Sequence, residues 1–215
     1  MRSLKDKIIV ITGASRGIGA GIARLMAEEQ AKLVLCGRDK KRLNRVAASL
    51  NLSTGNYMTV TADISRASGM SKIINGAYKK FGRVDVFVNN AGVGINKLFI
   101  RTSEKEFDTL FKTNLKSVFY CFKELLPRMQ KQGGGQIINI SSMAGKQGVP
   151  GLSAYSASKA AMNVLSEAVA GEARNENIKV CVLAPASVDT NFMSNLSSRS
   201  RTPSRAARKL TIDEV

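Results

Sequence analysis

Ile8-Ile9-Val10-Ile11-Thr12-Gly13-Ala14-Ser15-Arg16-Gly17-Ile18-Gly19 is an apolar, β-branched run that breaks into glycines. Four consecutive β-branched residues with no polar alternation predict a strand buried on both faces. Downstream, Ile22, Leu25 and Met26 recur at helical spacing. Strand, glycine loop and helix in that order aim backbone N–H groups and a helix N-terminus at a phosphate. Small residues let a pyrophosphate approach the backbone. The spacing is G-x-x-x-G-x-G, not the usual G-x-G-x-x-G. Glycines also make ordinary turns, so the flanking strand and helix carry the inference.

A second strand, Leu33-Val34-Leu35-Cys36, runs into Gly37-Arg38-Asp39-Lys40-Lys41-Arg42. In a dinucleotide-binding sheet the end of this strand meets the adenosine ribose, where an acid binds the 2′-hydroxyl of NAD. Here Arg38 follows Gly37, and with Arg16 it suits a 2′-phosphate. NADP(H) is therefore expected over NAD(H). Asp39 keeps NAD(H) open, and a basic helix start in solvent is the plainer alternative.

The alternation continues along the chain. A helix is expected over 40–50, with Leu43, Val46, Ala47 and Leu50 on one face, then a strand over 57–62 ending at Asp63. A helix over 66–80 closes at Phe81-Gly82, and a strand over 84–88 ends in Asn89-Asn90-Ala91-Gly92. One helical pattern runs from Ser103 to Leu126 with Asn114 inside it. Gly133-Gly134-Gly135 makes a turn, a strand over 136–140 reaches Ser141-Ser142, and a helix opens at Ser153. A last strand over 179–183 leads to Ala184-Pro185. Strands alternating with helices predict an α/β fold: a parallel, doubly wound sheet with right-handed crossovers. Functional groups then belong at strand C-terminal ends, where Gly13, Arg38, Asp63 and Asn90 fall.

Composition narrows the chemistry. The chain has 215 residues, enough for one sizeable core, and 33 Lys and Arg against 16 Asp and Glu, a net charge of +17. A polyanionic cofactor fits that excess; nucleic acid fits less well, because the charge is widely spread. Histidine is absent, which excludes His-based dyads and triads and leaves no obvious metal site. Three scattered cysteines, Cys36, Cys121 and Cys181, suit reduced thiols in a cytoplasmic protein. No apolar run approaches the roughly 20 residues of a membrane span, and the start does not read as a signal peptide.

Proton chemistry without histidine falls to Tyr, Lys, Cys or carboxylates. Tyr155 and Lys159 are four residues apart, hence on one helix face, about 6 Å apart along the axis. At an effective dielectric near 20 their attraction is on the order of 3 kcal/mol, enough to draw a phenol toward neutrality. The same spacing also describes an ordinary solvated helix face.

Taken together, Thr12–Gly19, Asp63, Asn89-Asn90-Ala91-Gly92, Asn114, Ser142, Tyr155-x-x-x-Lys159 and Pro185…Thr190 resemble the short-chain dehydrogenase/reductase family. The nearest likeness is its 3-oxoacyl-carrier-protein reductase branch. The resemblance implies a three-layer Rossmann-type sheet in strand order 3-2-1-4-5-6. It implies an NADP(H)-dependent oxidoreductase that interconverts a carbonyl, of ketone or 3-oxoacyl type, and an alcohol. It implies cofactor contacts from Gly13, Ala14, Ser15, Arg16, Gly17, Ile18, Gly19, Arg38, Asp63, Ile64, Asn90, Ala91, Gly92, Tyr155, Lys159, Pro185, Val188 and Thr190. By the same resemblance Tyr155 is the general acid or base, and Lys159 lowers its pKa and holds the nicotinamide ribose. Ser142, with Tyr155, holds the substrate oxygen, and Asn114 keeps a water in a proton relay. No metal is called for, and a homodimer or tetramer acting on a small carbonyl or alcohol is implied.

Two departures qualify the likeness. The family's Pro-Gly turn is Pro185-Ala186 here. Residues 1–193 read as one domain, followed by a basic Ser/Arg-rich flap or tail over 194–215, within which Thr211-Ile212-Asp213-Glu214 announces a helix. The family's last helix and seventh strand are expected to be missing. A catalytically weak dinucleotide-binding or regulatory protein on the same fold is the alternative that this ending leaves open.

Overall fold

The computed structural model describes residues 3–186 and Thr211. Val188, Thr190, the basic stretch and all but the first residue of the Thr211 cap lie outside the described residues, as does the question of a further helix and strand. Six strands form one parallel sheet: β1 (Ile8–Thr12), β2 (Lys32–Gly37), β3 (Tyr57–Thr61), β4 (Val86–Asn89), β5 (Gly135–Ile140) and β6 (Ile178–Leu183). Their spatial order is β3-β2-β1-β4-β5-β6, as the resemblance implies. The helices are α1 (Gly17–Glu28), α2 (Lys40–Ser49), α3 (Ala67–Phe81), α4 (Glu104–Phe111), α5 (Ser117–Lys131) and α6 (Ser153–Glu172).

The continuous apolar run of β1 serves two cores, one on each face. Register aligns Val34, Val10, Phe87, Ile137 and Val180 in one cross-strand row. That face packs against α3, α5 and α6 through residues such as Ile73, Leu125 and Met162. The adjacent row, Leu35, Ile11, Val88 and Ile138, packs against α1 and α2 through Ala23, Leu43 and Ala47. Each large aliphatic side chain so buried contributes about 1.5–3 kcal/mol. Three layers follow, and every strand delivers its C-terminal end to the same edge of the sheet.

Helix starts are fixed locally. The Asp39 carboxylate accepts from the Arg42 N–H at 3.0 Å and caps α2. Ser103 and Glu106 form a reciprocal capping box on α4. Two expected boundaries moved. The fourth strand begins at Val86: the Val84 N–H donates to the Gln132 side chain, while the Asp85 backbone still bonds the neighbouring chains at Ile8 and Gln136. The single helical pattern across Ser103–Leu126 is two helices joined by a wide π-type turn over Lys112–Lys116. Asn114 sits in that turn, 2 % exposed, and turns inward. Among the described residues, no helix is long and apolar enough to cross a membrane.

Candidate active site

The C-terminal ends of the strands border one open cleft of about 930 Å³. Its floor begins at Gly13, whose φ of +68° suits glycine and whose added Cβ would fall 2.9 Å from the Ala91 main chain. Thr12, fully buried, ties the glycine loop to the strand beside it. Its Oγ1 donates to the Val88 carbonyl and accepts from the N–H groups of Asn90 and Ala91. Asn90 completes the brace, donating Nδ2 to the Thr12 carbonyl at 2.8 Å. The first turn of α1 carries no acid, and its cap residue Arg16 makes no side-chain hydrogen bond to it. Arg16, Gly17 and Ile18 at this helix start line the cleft, and a helix N-terminus without an acid fits a dinucleotide pyrophosphate.

Arg38, Asp39, Arg42, Asp63, Ile64 and Ser65 line the end beyond β2 and β3. The Asp39 carboxylate is engaged twice by Arg42, through the backbone N–H at 3.0 Å and Nε at 3.2 Å. The backbone bond is the main reason its pKa lies below the ordinary value. Burial pulls Asp63 upward, but the Ser65 hydrogen bonds and the Arg38 charge outweigh it and leave its pKa low. Two ionised carboxylates, each already bonded to its own loop, thus stand among arginines.

The other end is built by β5 and α6. Tyr155 is 8 % exposed and hydrogen-bonds with Ser142. Burial pushes its pKa up, and the Ser142 bond offsets part of that rise. Burial thus outweighs, in this arrangement, the fall toward neutrality expected from Lys159. Lys159 directs Nζ to the Ile140 carbonyl at 2.7 Å, and burial brings its own pKa down to about 8. Behind them, Asn114 clamps Val93, accepting from its N–H and donating to its carbonyl, both at 2.9 Å. Asn114 Nδ2 also donates to Ser158 Oγ, which donates to the Tyr155 carbonyl. A second buried chain crosses the sheet beneath: Asn89 Nδ2 to Asn139 Oδ1, and Asn139 Nδ2 to Ser166 Oγ, both at 2.8 Å.

Comparison with known proteins follows the same geometry. The model of the short chain dehydrogenase family matches residues 7–201. The chain belongs to the short-chain dehydrogenase family. Ketoacyl reductase HetN of a Nostoc species is 36 % identical over 193 residues, 90 % of this chain and 67 % of that protein. The 3-oxoacyl-acyl-carrier-protein reductase FabG of Chlamydia muridarum is 35 % identical over 195 residues, covering 90 % of this chain and 79 % of that one. Among solved structures, 3-ketoacyl-acyl-carrier-protein reductase from Brucella melitensis complexed with NADH superposes with a TM-score of 0.88. It is 29 % identical, with 98 % of this chain and 88 % of that one covered. A metagenomic short-chain oxidoreductase in complex with NADP gives 0.81 at 38 % identity, covering 87 % of this chain and 85 % of that one. This short-chain dehydrogenase is thus an oxidoreductase of a fold that binds NAD or NADP.

Of the residues singled out in the sequence, Gly13, Ser15, Arg16, Gly17, Ile18, Arg38, Asp63, Ile64, Asn90, Ala91, Gly92, Ser142, Tyr155, Lys159 and Pro185 line the cleft. Three do not. Ala14 is fully buried in the core under α1 and α2. Gly19 packs against Asn90 and Gly13, and Asn114 lies behind the wall. Sequence reading passed over Val93, Ala144, Val149 and Leu152, which wall the Tyr155 end from irregular segments that carry no periodic signal.

Proposed function

We propose that this short-chain dehydrogenase is an NADP(H)-dependent reductase of a carbonyl compound. Its observation of record is the Ser142–Tyr155 hydrogen bond, set in the same cleft as the glycine loop and the Arg16–Arg38–Arg42 end. The reduced nicotinamide supplies the hydride. Ser142 and Tyr155 aim hydroxyl donors at one point, where a carbonyl oxygen gains charge as hydride reaches its carbon. Tyr155 Oη then gives that oxygen its proton and completes the alcohol. Burial keeps the phenol protonated at neutral pH, which suits it to act as the acid in reduction. Lys159, held at the Ile140 carbonyl, stands beside Tyr155 to stabilise the phenolate left behind and to hold the nicotinamide ribose. Arg38 and Arg16 select the 2′-phosphate, while Asp39 is spent on capping α2 and on Arg42. Asn114 holds the Val93 wall in place and serves a water-borne proton path back to Tyr155.

The test is NADPH oxidation against a panel of ketones and 3-oxoacyl thioesters, with Tyr155→Phe as control. Turnover in the wild type and its loss by at least about a thousandfold in the variant, with NADPH still bound, is the expected result. Intact NADPH binding with every carbonyl refused would instead establish a dinucleotide-binding protein without this activity.

A further inference from the structure

Tyr155 and Ala144 belong to an apolar cluster with Leu110 and Ala154, against which Val93, Val149 and Leu152 pack. Val93, Ala144, Val149 and Leu152 are also the wall of the cleft beside the phenol. Apart from Lys159, the charged side chains that line the cleft lie elsewhere. Arg38, Asp39 and Arg42 follow β2, and Asp63 follows β3. Sheet order places β2 three strand spacings from β5 and β3 four, about 14 and 19 Å at roughly 4.8 Å per strand. Arg16 sits in the loop after β1, two spacings away.

Two cations nearer the phenol each have a partner. Lys159 Nζ is bonded to the Ile140 carbonyl. Lys97, whose backbone N–H donates to the Gly151 carbonyl beside this wall, holds Nζ 2.9 Å from both oxygens of Glu106. Among the described residues, the four that form this wall carry no charge.

We infer that the site takes an uncharged carbonyl compound with an apolar body and turns away keto acids of the same size. This rests on the reductase reading above. A charged group brought against Val93, Ala144, Val149 and Leu152 would lose its hydration and gain no partner. The discrimination expected is at least about a hundredfold in kcat/KM.

A matched pair tests it: acetylbenzoate and its methyl ester, equal in shape at the ketone and different in charge. NADPH oxidation by the wild type should favour the ester by about a hundredfold or more. Val149→Arg, or Leu152→Lys should the first variant fold poorly, supplies the missing cation. Either should narrow that gap by about tenfold by raising the rate on the acid. A wild type that reduces the acid as well as the ester overturns the inference and leaves the reductase reading standing. A wild type that binds NADPH but reduces neither ester, acid nor any simple ketone overturns both.

Discussion

Lys159 donates Nζ to the main-chain oxygen of Ile140 at 2.7 Å, so the buried cation of α6 is anchored to the last residue of β5. Through that bond the helix bearing Tyr155 is fixed against the strand leading to Ser142. An ammonium only 5 % exposed has given up most of its hydration, and one carbonyl does not restore it. The functional end of the cleft is therefore a place where stability is sacrificed for chemistry.

The cost has a sign and a pH window. The folded pKa of Lys159, about 8, lies below the ordinary value near 10.5. Below pH 8 both folded and unfolded chains hold the proton, and the native state bears the full penalty of about 3 kcal/mol. Between pH 8 and 10.5 the native state releases the proton first, so the penalty fades as pH rises. Lys159→Met should therefore raise stability at pH 7 by up to about 3 kcal/mol, with the gain shrinking above pH 8 and gone near 10.5. Chemical denaturation across that range checks it; a gain independent of pH would show that charge burial is not its source.

In the NADP(H) reading proposed above, cofactor choice turns on Arg38. Asp39, the acid closest to it in sequence, already receives two bonds from Arg42. Arg38→Asp should weaken NADPH binding by about tenfold or more while NADH binding holds or improves. Nicotinamide fluorescence titrations of both proteins with both cofactors measure this. An unchanged ratio would remove Arg38 from the recognition of the 2′-phosphate.

The buried chain Asn89–Asn139–Ser166 joins β4 and β5, which lead into Gly92 and Ser142, and α6, which carries Tyr155. Asn139→Leu would strand the Asn89 Nδ2 donor in the core and remove the bond that Ser166 Oγ accepts, while Ser166 keeps its bond to the Met162 carbonyl, at a cost of about 2–3 kcal/mol. Ser166→Ala should cost about 1–2 kcal/mol. Because the two residues bond directly, the double variant should lose less than the sum, by at least about 0.5 kcal/mol. Strict additivity in urea melts would mean that the chain is not an energetic unit.

Much of this was legible in the sequence for physical reasons. A strand buried on both faces, as at Ile8–Ile11, must be apolar throughout, and the glycines after it mark close approach, as of Gly13 to Ala91 and Gly19 to Asn90. The two carboxylates and the arginines after β2 and β3 were placed correctly because parallel strands all end on one side. What the sequence hid depends on depth and on irregular backbone. Spacing put Tyr155 beside Lys159 but could not show that both are buried, which is what raises one pKa and lowers the other. The π turn at Asn114 has no periodic signature. The apolar wall at Val149 and Leu152 comes from loop backbone, where residue type does not reveal direction.

Ala14 and Gly19, neighbours in one motif, allow that motif to be divided by experiment. A Cβ at Gly19 would fall 2.5 Å from Asn90 Nδ2 and 2.5 Å from the Gly13 carbonyl oxygen. Alanine there must displace Asn90, whose Nδ2 holds the Thr12 carbonyl, or shift a loop whose Gly13 is fixed at positive φ. In the proposed reading, either movement misaligns the N–H groups that would meet the cofactor phosphate. Gly19→Ala should therefore weaken NADPH binding by about thirtyfold or more, with a stability loss of about 1–3 kcal/mol. Ala14→Gly touches the opposite side. It removes one methyl from the core and should cost about 1 kcal/mol, while cofactor affinity stays within about threefold. Binding titrations and melts on both variants separate the two roles. Equal losses of affinity at the two positions would mean that the loop answers to any change in packing, and that the close approach at Gly19 holds no special place in it.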